Sequence, residues 1–207
     1  MEAMRSYAAE PLKPALSKPE RLSLHATDAI YAATNGVKEL LSMSRELEPG
    51  QKESMKQLLY IYDAFLHGLE RAFSSEGFTS EQATVLYKKT RPLMEMLIGQ
   101  VELQGGLLAP MAHTFMDIIN KLVRYDPQGT LLLAAGVVRA SRSAGYHIDS
   151  IAVRDVNTFV EAILTDFRGD IQEPAQMAAL LDILDVFGEA GWPEVQRLVW
   201  RLEEIFR

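Results

Sequence analysis

Apolar side chains recur every three or four residues along most of this chain, which is the spacing of one face of an α-helix. The clearest series lies in the N-terminal half and forms one wide stripe: Met55, Leu58, Leu59, Tyr62, Phe65, Leu66, Leu69 and Phe73. No segment alternates apolar and polar residues with the period of two that a half-buried strand needs. The pattern therefore predicts an all-α fold.

Glycine and proline divide this pattern into separate helices. A Pro-Gly pair at positions 49–50 and a Gly-Gly pair at 105–106 end two of them, because neither residue sustains a helix. A capping box at positions 79–82 begins another helix, and Pro92 is expected to break or kink it. The pattern predicts about eight to nine helices, arranged as antiparallel hairpins.

One phrase of sequence occurs twice in the C-terminal half: an acidic residue and a proline, an apolar helix, and then alanine, glycine and an aromatic residue. The two copies span positions 126–146 and 173–192. The acidic residue is a natural helix cap, and Pro127 and Pro174 fall at the first helical position, where proline is tolerated. The glycine supplies a left-handed stop. The first repeated helix is apolar nearly all round from Leu131 to Val138, which predicts burial on more than one side.

The repeated unit is 42 to 47 residues long. Pro127 and Pro174 are 47 residues apart, and the Thr-Phe pairs at 114–115 and 158–159 are 44 residues apart. This period and these turns resemble the two-helix repeats of HEAT and armadillo proteins. The resemblance implies a short HEAT-like α-solenoid, in which each hairpin buries its apolar face on its neighbour. The alternative is an irregular helical bundle whose two hairpins are alike by chance.

Three regions are predicted from these signals. Residues 1–20 carry three prolines and few large apolar groups, which predicts an extended arm or linker. Residues 21–106 are predicted to form N-terminal helical hairpins, and residues 107–207 to form the HEAT-like repeats. A single continuous domain over residues 21–207 is the alternative.

Composition and charge narrow the class of function. The 207-residue chain has no cysteine, which excludes disulfides, thiolate nucleophiles and cysteine-ligated metals. Its formal charge of −7 falls entirely in residues 145–207, which carry 5 basic and 12 acidic side chains. An acidic surface repels phosphate backbones, so nucleic acid is not expected as a partner. The excess acid is either a solvated face or a surface that attracts a basic protein.

Neither a secretory leader nor a membrane span is expected. The N-terminus lacks a basic segment followed by an apolar run, and the longest apolar run, from Leu131 to Val138, is too short to cross a bilayer. A cytoplasmic protein without membrane contact is therefore predicted.

The ionisable side chains form few arrangements that could support chemistry. Asp63, His67 and Glu70 share one helix face, where they could bind a divalent metal, but no second helix supplies matching ligands. A solvated polar face is the favoured interpretation, and a local hydrogen bond is favoured for His113 with Asp117. Phosphate-binding loops, dinucleotide fingerprints and nucleophile elbows are absent from the sequence. No catalytic residue, metal site or cofactor is therefore predicted.

The end of the chain offers the best candidate for a contact surface. Trp200 lies off the main apolar stripe of the last helix, so it is either exposed or folded against a neighbouring helix. The candidate partner-binding residues are this tryptophan, two neighbours on its helix and the aromatic residues of the repeated turns: Trp200, Arg201, Glu204, Trp192 and Tyr146.

These observations favour a non-catalytic helical interaction or scaffold domain, which would be the C-terminal module or a subunit of a larger assembly. A protein partner is expected, or a homo-oligomer formed through the C-terminal helix. The alternative, from a different class, is a helical regulator with a small-molecule pocket between its helices. Such a pocket would need an apolar cavity with a few convergent polar groups.

Overall fold

A computed structural model describes residues 35–36, 52–74, 80–103, 111–143, 150–171, 173–189, 191, 193 and 196–200. The chain divides into two compact units, residues 1–97 and residues 98–207. The domain boundaries predicted at residues 20 and 106 stay predictions.

The described residues are helical apart from short turns. Six α-helices are α1 (Lys52–Ser74), α2 (Ser80–Leu103), α3 (Ala112–Leu122), α4 (Pro127–Ser143), α5 (Ser150–Asp166) and α6 (Pro174–Glu189). A 3-10 turn, η1 (Arg168–Asp170), joins α5 to α6, and residues 196–200 form a final helical segment. Because no strand occurs within these ranges, the all-α prediction is confirmed for them. The total of eight to nine helices stays a prediction, since some of those helices fall on residues outside the described ranges.

Helix α2 runs without interruption through Pro92, so the expected break at this residue is wrong, while the alternative of a kink stays a prediction. Proline removes the hydrogen bond to the carbonyl of Lys88, four residues earlier. Both Pro92 and Lys88 are exposed, so water can solvate that carbonyl. The proline therefore lies on the face of the helix where its missing donor costs least.

The first unit buries that part of the predicted α1 stripe whose side chains the structure describes. Tyr62, Phe65, Leu66, Leu69 and Phe73 are all buried. Helix α2 also has one buried face in this unit, and Thr90 lies on that face. The hydroxyl of Thr90 donates to the carbonyl oxygen of Leu86 at 2.9 Å. That bond satisfies the buried hydroxyl, which would otherwise carry an uncompensated desolvation cost.

Helix α4 lies at the centre of the second unit. It packs against α3, α5 and α6, and its residues from Leu131 to Val138 are buried with the exception of Leu132. The predicted burial of this helix on more than one side is therefore confirmed. The side chain of Ile98 lies close to the backbone of α4 at Gly136: a Cβ atom on Gly136 would be 3.0 Å from the Cγ2 atom of Ile98.

The helices of the second unit pair in a regular order. Helix α3 packs on α4, the next helix along the chain, and on α5, while α4 packs on α6. Two ion pairs join α4 to α6: the Arg139 guanidinium lies 3.3 Å from Asp182, and that of Arg142 lies 2.6 Å from Glu189. The earlier residue of α4 meets the earlier residue of α6, so these two helices run in the same direction.

The two acidic-proline turns begin helices as predicted, but with different capping bonds. In the first turn the backbone N–H of Gly129 donates to Asp126 Oδ1 at 2.8 Å, which caps α4. In the second turn the backbone N–H of Glu173 donates to Gln176 Oε1 at 3.2 Å, at the start of α6. These are the two reciprocal halves of a capping box, one in each copy.

The glycine stop is confirmed in the second copy. Gly191 has a φ of 75°, the left-handed conformation that only glycine adopts at little cost, and its N–H donates to the carbonyl oxygen of Gly188 at 3.0 Å. The equivalent Gly145 lies outside the described residues. Pro193, two residues after Gly191, is helical, as expected for the start of the last helix.

Candidate interaction surface

Trp200 is the most exposed large hydrophobic side chain among the described residues, with 72% of its surface accessible. Two residues earlier, Leu198 is buried and only 4% accessible, so the final helical segment is packed on one side. Val199 is also exposed, at 42%. An indole this accessible is not packed between helices, so the alternative that Trp200 folds against a neighbouring helix does not hold.

The other predicted partner-binding residues lie outside the described residues: Arg201, Glu204, Trp192 and Tyr146. Among the described neighbours of Trp200, Gln196 and Arg197 are exposed. The described part of this surface therefore combines Trp200 and Val199 with one amide and one guanidinium. Tryptophan and arginine are the residue types that most often dominate binding energy at protein interfaces.

A second exposed apolar area lies on the outer side of α4 and α6. Leu132 on α4 is 41% accessible and Leu181 on α6 is 48% accessible. At its start, α4 is joined to η1, which precedes α6: Gln128 Nε2 donates to the backbone oxygen of Asp170 at 2.8 Å. Further along, the ion pair of Arg139 with Asp182 joins the two helices. Leu132 lies between Gln128 and Arg139 in the sequence, and Leu181 lies between Asp170 and Asp182.

The polar face of α1 has the geometry of an exposed local pair. His67 Nε2 lies 3.6 Å from Asp63 Oδ1, and both side chains are about half exposed. Glu70 accepts from a different group, the hydroxyl of Ser74, through Oε1 at 3.1 Å and through its carbonyl oxygen at 2.7 Å. Across the described ranges, no three His, Asp or Glu side chains converge as a metal ion requires.

Asp117 forms an ion pair with a lysine: its Oδ2 lies 3.0 Å from Lys121 Nζ, one turn further along α3. The expected local hydrogen bond between His113 and Asp117 competes with this stronger, charge-assisted contact. Lys121 follows Asp117 by four residues in the sequence, which is a spacing that favours an ion pair on one helix face.

Sequence reasoning missed the bridges between α4 and α6, although a signal for them exists. Arg139 and Asp182 are 43 residues apart and Arg142 and Glu189 are 47 apart, close to the repeat period of 42 to 47 residues. In stacked repeats, equivalent positions lie side by side. Opposite charges one period apart are therefore candidates for an inter-repeat pair.

Comparisons with protein-family models, with curated proteins and with solved structures each return no match to this chain. Within the described residues, every helix is too short or too polar to cross a membrane.

Proposed function

We propose that this chain is a non-catalytic helical interaction module, which binds a protein partner through the surface around Trp200. The observation that carries the proposal is the 72% accessibility of this indole beside the exposed Val199. Adjacent exposed apolar side chains are costly to leave in water, and partner-binding surfaces are a common reason to retain them. The module would serve as the C-terminal part or a subunit of a larger assembly.

We further propose that the chain forms a short HEAT-like α-solenoid of antiparallel hairpins, with about eight to nine helices in all, and that the second unit contains its clearest repeats. Two features support this. Helices α3 and α5 pack on each other, as do α4 and α6, which is the pairing of equivalent helices in successive two-helix repeats. The bonds between α4 and the η1–α6 region join residues 42, 43 and 47 positions apart, close to the sequence period. Arrays of this kind present extended surfaces for protein binding.

A photo-crosslinking experiment tests the proposed binding surface. A benzophenone amino acid would replace Trp200 in the full chain, and the protein would be irradiated in cells of its native host. The matched control places the same group at Tyr60, which is 61% accessible in the first unit. The proposal predicts a discrete crosslinked species at position 200 that the control does not produce.

Mass spectrometry of the crosslinked species then identifies the partner. A different protein would support a subunit of a mixed assembly, and a second copy of this chain would support a homo-oligomer formed through the C-terminal helix. The proposal fails if position 200 yields no crosslinked species, or if the same species form at positions 60 and 200.

A further inference from the structure

The outer face of α6 presents an exposed stripe. Pro174, Ala178, Leu181 and Asp185 follow each other at helical spacings of four, three and four residues, so they lie on one face, and all four are exposed. Three of the four are apolar, and the series ends in a carboxylate. Helix α6 is therefore buried on its inner side and apolar over much of its outer side.

Helix α4 extends this apolar area. The bond from Gln128 to η1 and the ion pair from Arg139 to α6 place Leu132 beside the first half of α6, because Leu132 follows Gln128 and precedes Arg139. On the α6 side, Ala175, Ala178 and Leu181 fall between Asp170 and Asp182 in the same way. We call Leu132, Ala175, Ala178 and Leu181 the outer patch; all four are exposed.

Carboxylates lie at both ends of the outer patch. Helix α6 contains three acidic residues and no basic one, and two of the three, Asp182 and Glu189, are paired with arginines of α4. The third, Asp185, is exposed beyond Leu181, and Asp170 and Glu173 are exposed at the opposite end of the helix. One exposed arginine, Arg168, accompanies them there.

We propose that the outer patch binds a basic amphipathic helix of a partner protein. The apolar face of that helix would cover Leu132 and Leu181, and its lysine or arginine side chains would meet Asp185 at one end and the carboxylates of Asp170 and Glu173 at the other. Burial of the two leucines supplies affinity, and opposite charges at the ends supply orientation.

The spacing of the carboxylates sets the size of the partner. Glu173 and Asp185 are 12 positions apart, which corresponds to about 18 Å along a helix. A partner helix of about three turns, with basic residues at both ends, spans that distance. The same charges repel an anionic lipid surface, so a peptide helix is favoured over a membrane. This site is formed by other residues than the Trp200 surface and can be tested separately.

Fluorescence anisotropy with a labelled 14-residue amphipathic peptide of leucine and lysine tests the proposal. A peptide with glutamate in place of lysine is the charge control, and one with the same composition in scrambled order is the control for amphipathicity. The full-length protein would bind the leucine–lysine peptide, while binding to both controls would be weaker by about tenfold or more. Added salt would weaken the specific binding.

Protein variants locate the binding to the outer patch. The double variant Leu132→Ser with Leu181→Ser would weaken binding about tenfold, and Asp185→Lys would weaken it about threefold or more. Val85→Ser removes a similarly exposed aliphatic side chain, 42% accessible, from the first unit and would leave binding unchanged. Because these positions are exposed, circular dichroism melting curves should match that of the unmodified protein.

Three outcomes would overturn the proposal. The double variant could bind the peptide as well as the unmodified protein does, or the glutamate peptide could bind as tightly as the lysine peptide. Sedimentation could also show a dimer of the unliganded protein that the double variant abolishes, and then a second copy covers the patch. Retained peptide binding by Trp200→Ala is expected, and it separates this site from the one proposed above.

Discussion

Removal of the Asp126 carboxylate should destabilise the second unit several times more than removal of the equivalent Glu173 carboxylate. The two residues occupy the same place in the repeated turn, but their bonds differ. Asp126 Oδ1 accepts the N–H of Gly129 at 2.8 Å. Glu173 contributes its backbone N–H instead, and within the described residues no hydrogen bond or ion pair involves its carboxylate.

The expected losses of unfolding free energy follow from these bonds. Loss of an N-cap acceptor costs about 1 kcal/mol, within a range of about 0.5 to 2. Removal of an exposed acid that acts only on the helix dipole costs about 0.3 kcal/mol. For a cooperative unit of 110 residues, residues 98–207, about 1 kcal/mol corresponds to a shift of about 4 °C in Tm. Asp126→Ala should therefore lower the Tm by about 4 °C, and Glu173→Ala by about 1 °C.

Differential scanning calorimetry of the full chain measures both variants, and two further variants separate the causes. Asp126→Asn keeps the acceptor without the charge, so its Tm should stay close to that of the unmodified protein. Gln176→Ala removes the acceptor of the second turn from a buried side chain and should cost about 1–2 kcal/mol. Equal losses for Asp126→Ala and Glu173→Ala, or no loss for Gln176→Ala, would refute this assignment of the two caps.

Three other predictions concern stability. Gly188→Ala should stabilise the protein by about 0.5–1 kcal/mol, because a Cβ there meets no atom within 4 Å and alanine favours the helix. Gly191→Ala should instead destabilise it by about 1 kcal/mol, because Gly191 has a φ of 75°. Calorimetry that gives both changes the same sign would contradict this pair of predictions. Phe159→Ala, at a fully buried position, should cost about 3–5 kcal/mol in urea unfolding, and a cost below about 1 would exclude a well-packed core there. Arg139→Ala should cost less than about 1 kcal/mol, since both partners of its ion pair are about half exposed, and this cost should vanish in 1 M salt; a cost unaffected by salt would refute it.

Helix starts and stops were predictable where one turn of chain determines them. The Asp126-Pro127 and Glu173-Pro174 turns and Gly191 behave as the sequence indicates, because caps and left-handed glycines depend on bonds to residues three or four positions away. Which half of the capping box each turn uses was not predicted. That choice depends on the residue three positions after the acidic one, which is Gly129 in the first copy and Gln176 in the second.

Features that depend on long-range packing were not predictable in the same way. Pro92 is tolerated because it faces solvent, and the outer face of a helix is known only once its neighbours are placed. For the same reason the sequence does not decide whether the side chain of Trp200 is exposed or packed, and in the structure it is exposed. Leu132 and Leu181 lie within runs of apolar residues that predict burial, yet the packing of α4 on α6 leaves both outside.

The central claim is that a protein partner covers Trp200, and tryptophan fluorescence tests it most directly. In the variant Trp192→Phe, Trp200 is the only indole, so acrylamide quenching reports its exposure alone. The isolated protein should show quenching close to that of free indole, and the complex with the species crosslinked at position 200 should show a blue-shifted emission and much weaker quenching. An indole that is already protected in the isolated protein, or one that is quenched equally in the complex, would contradict the claim.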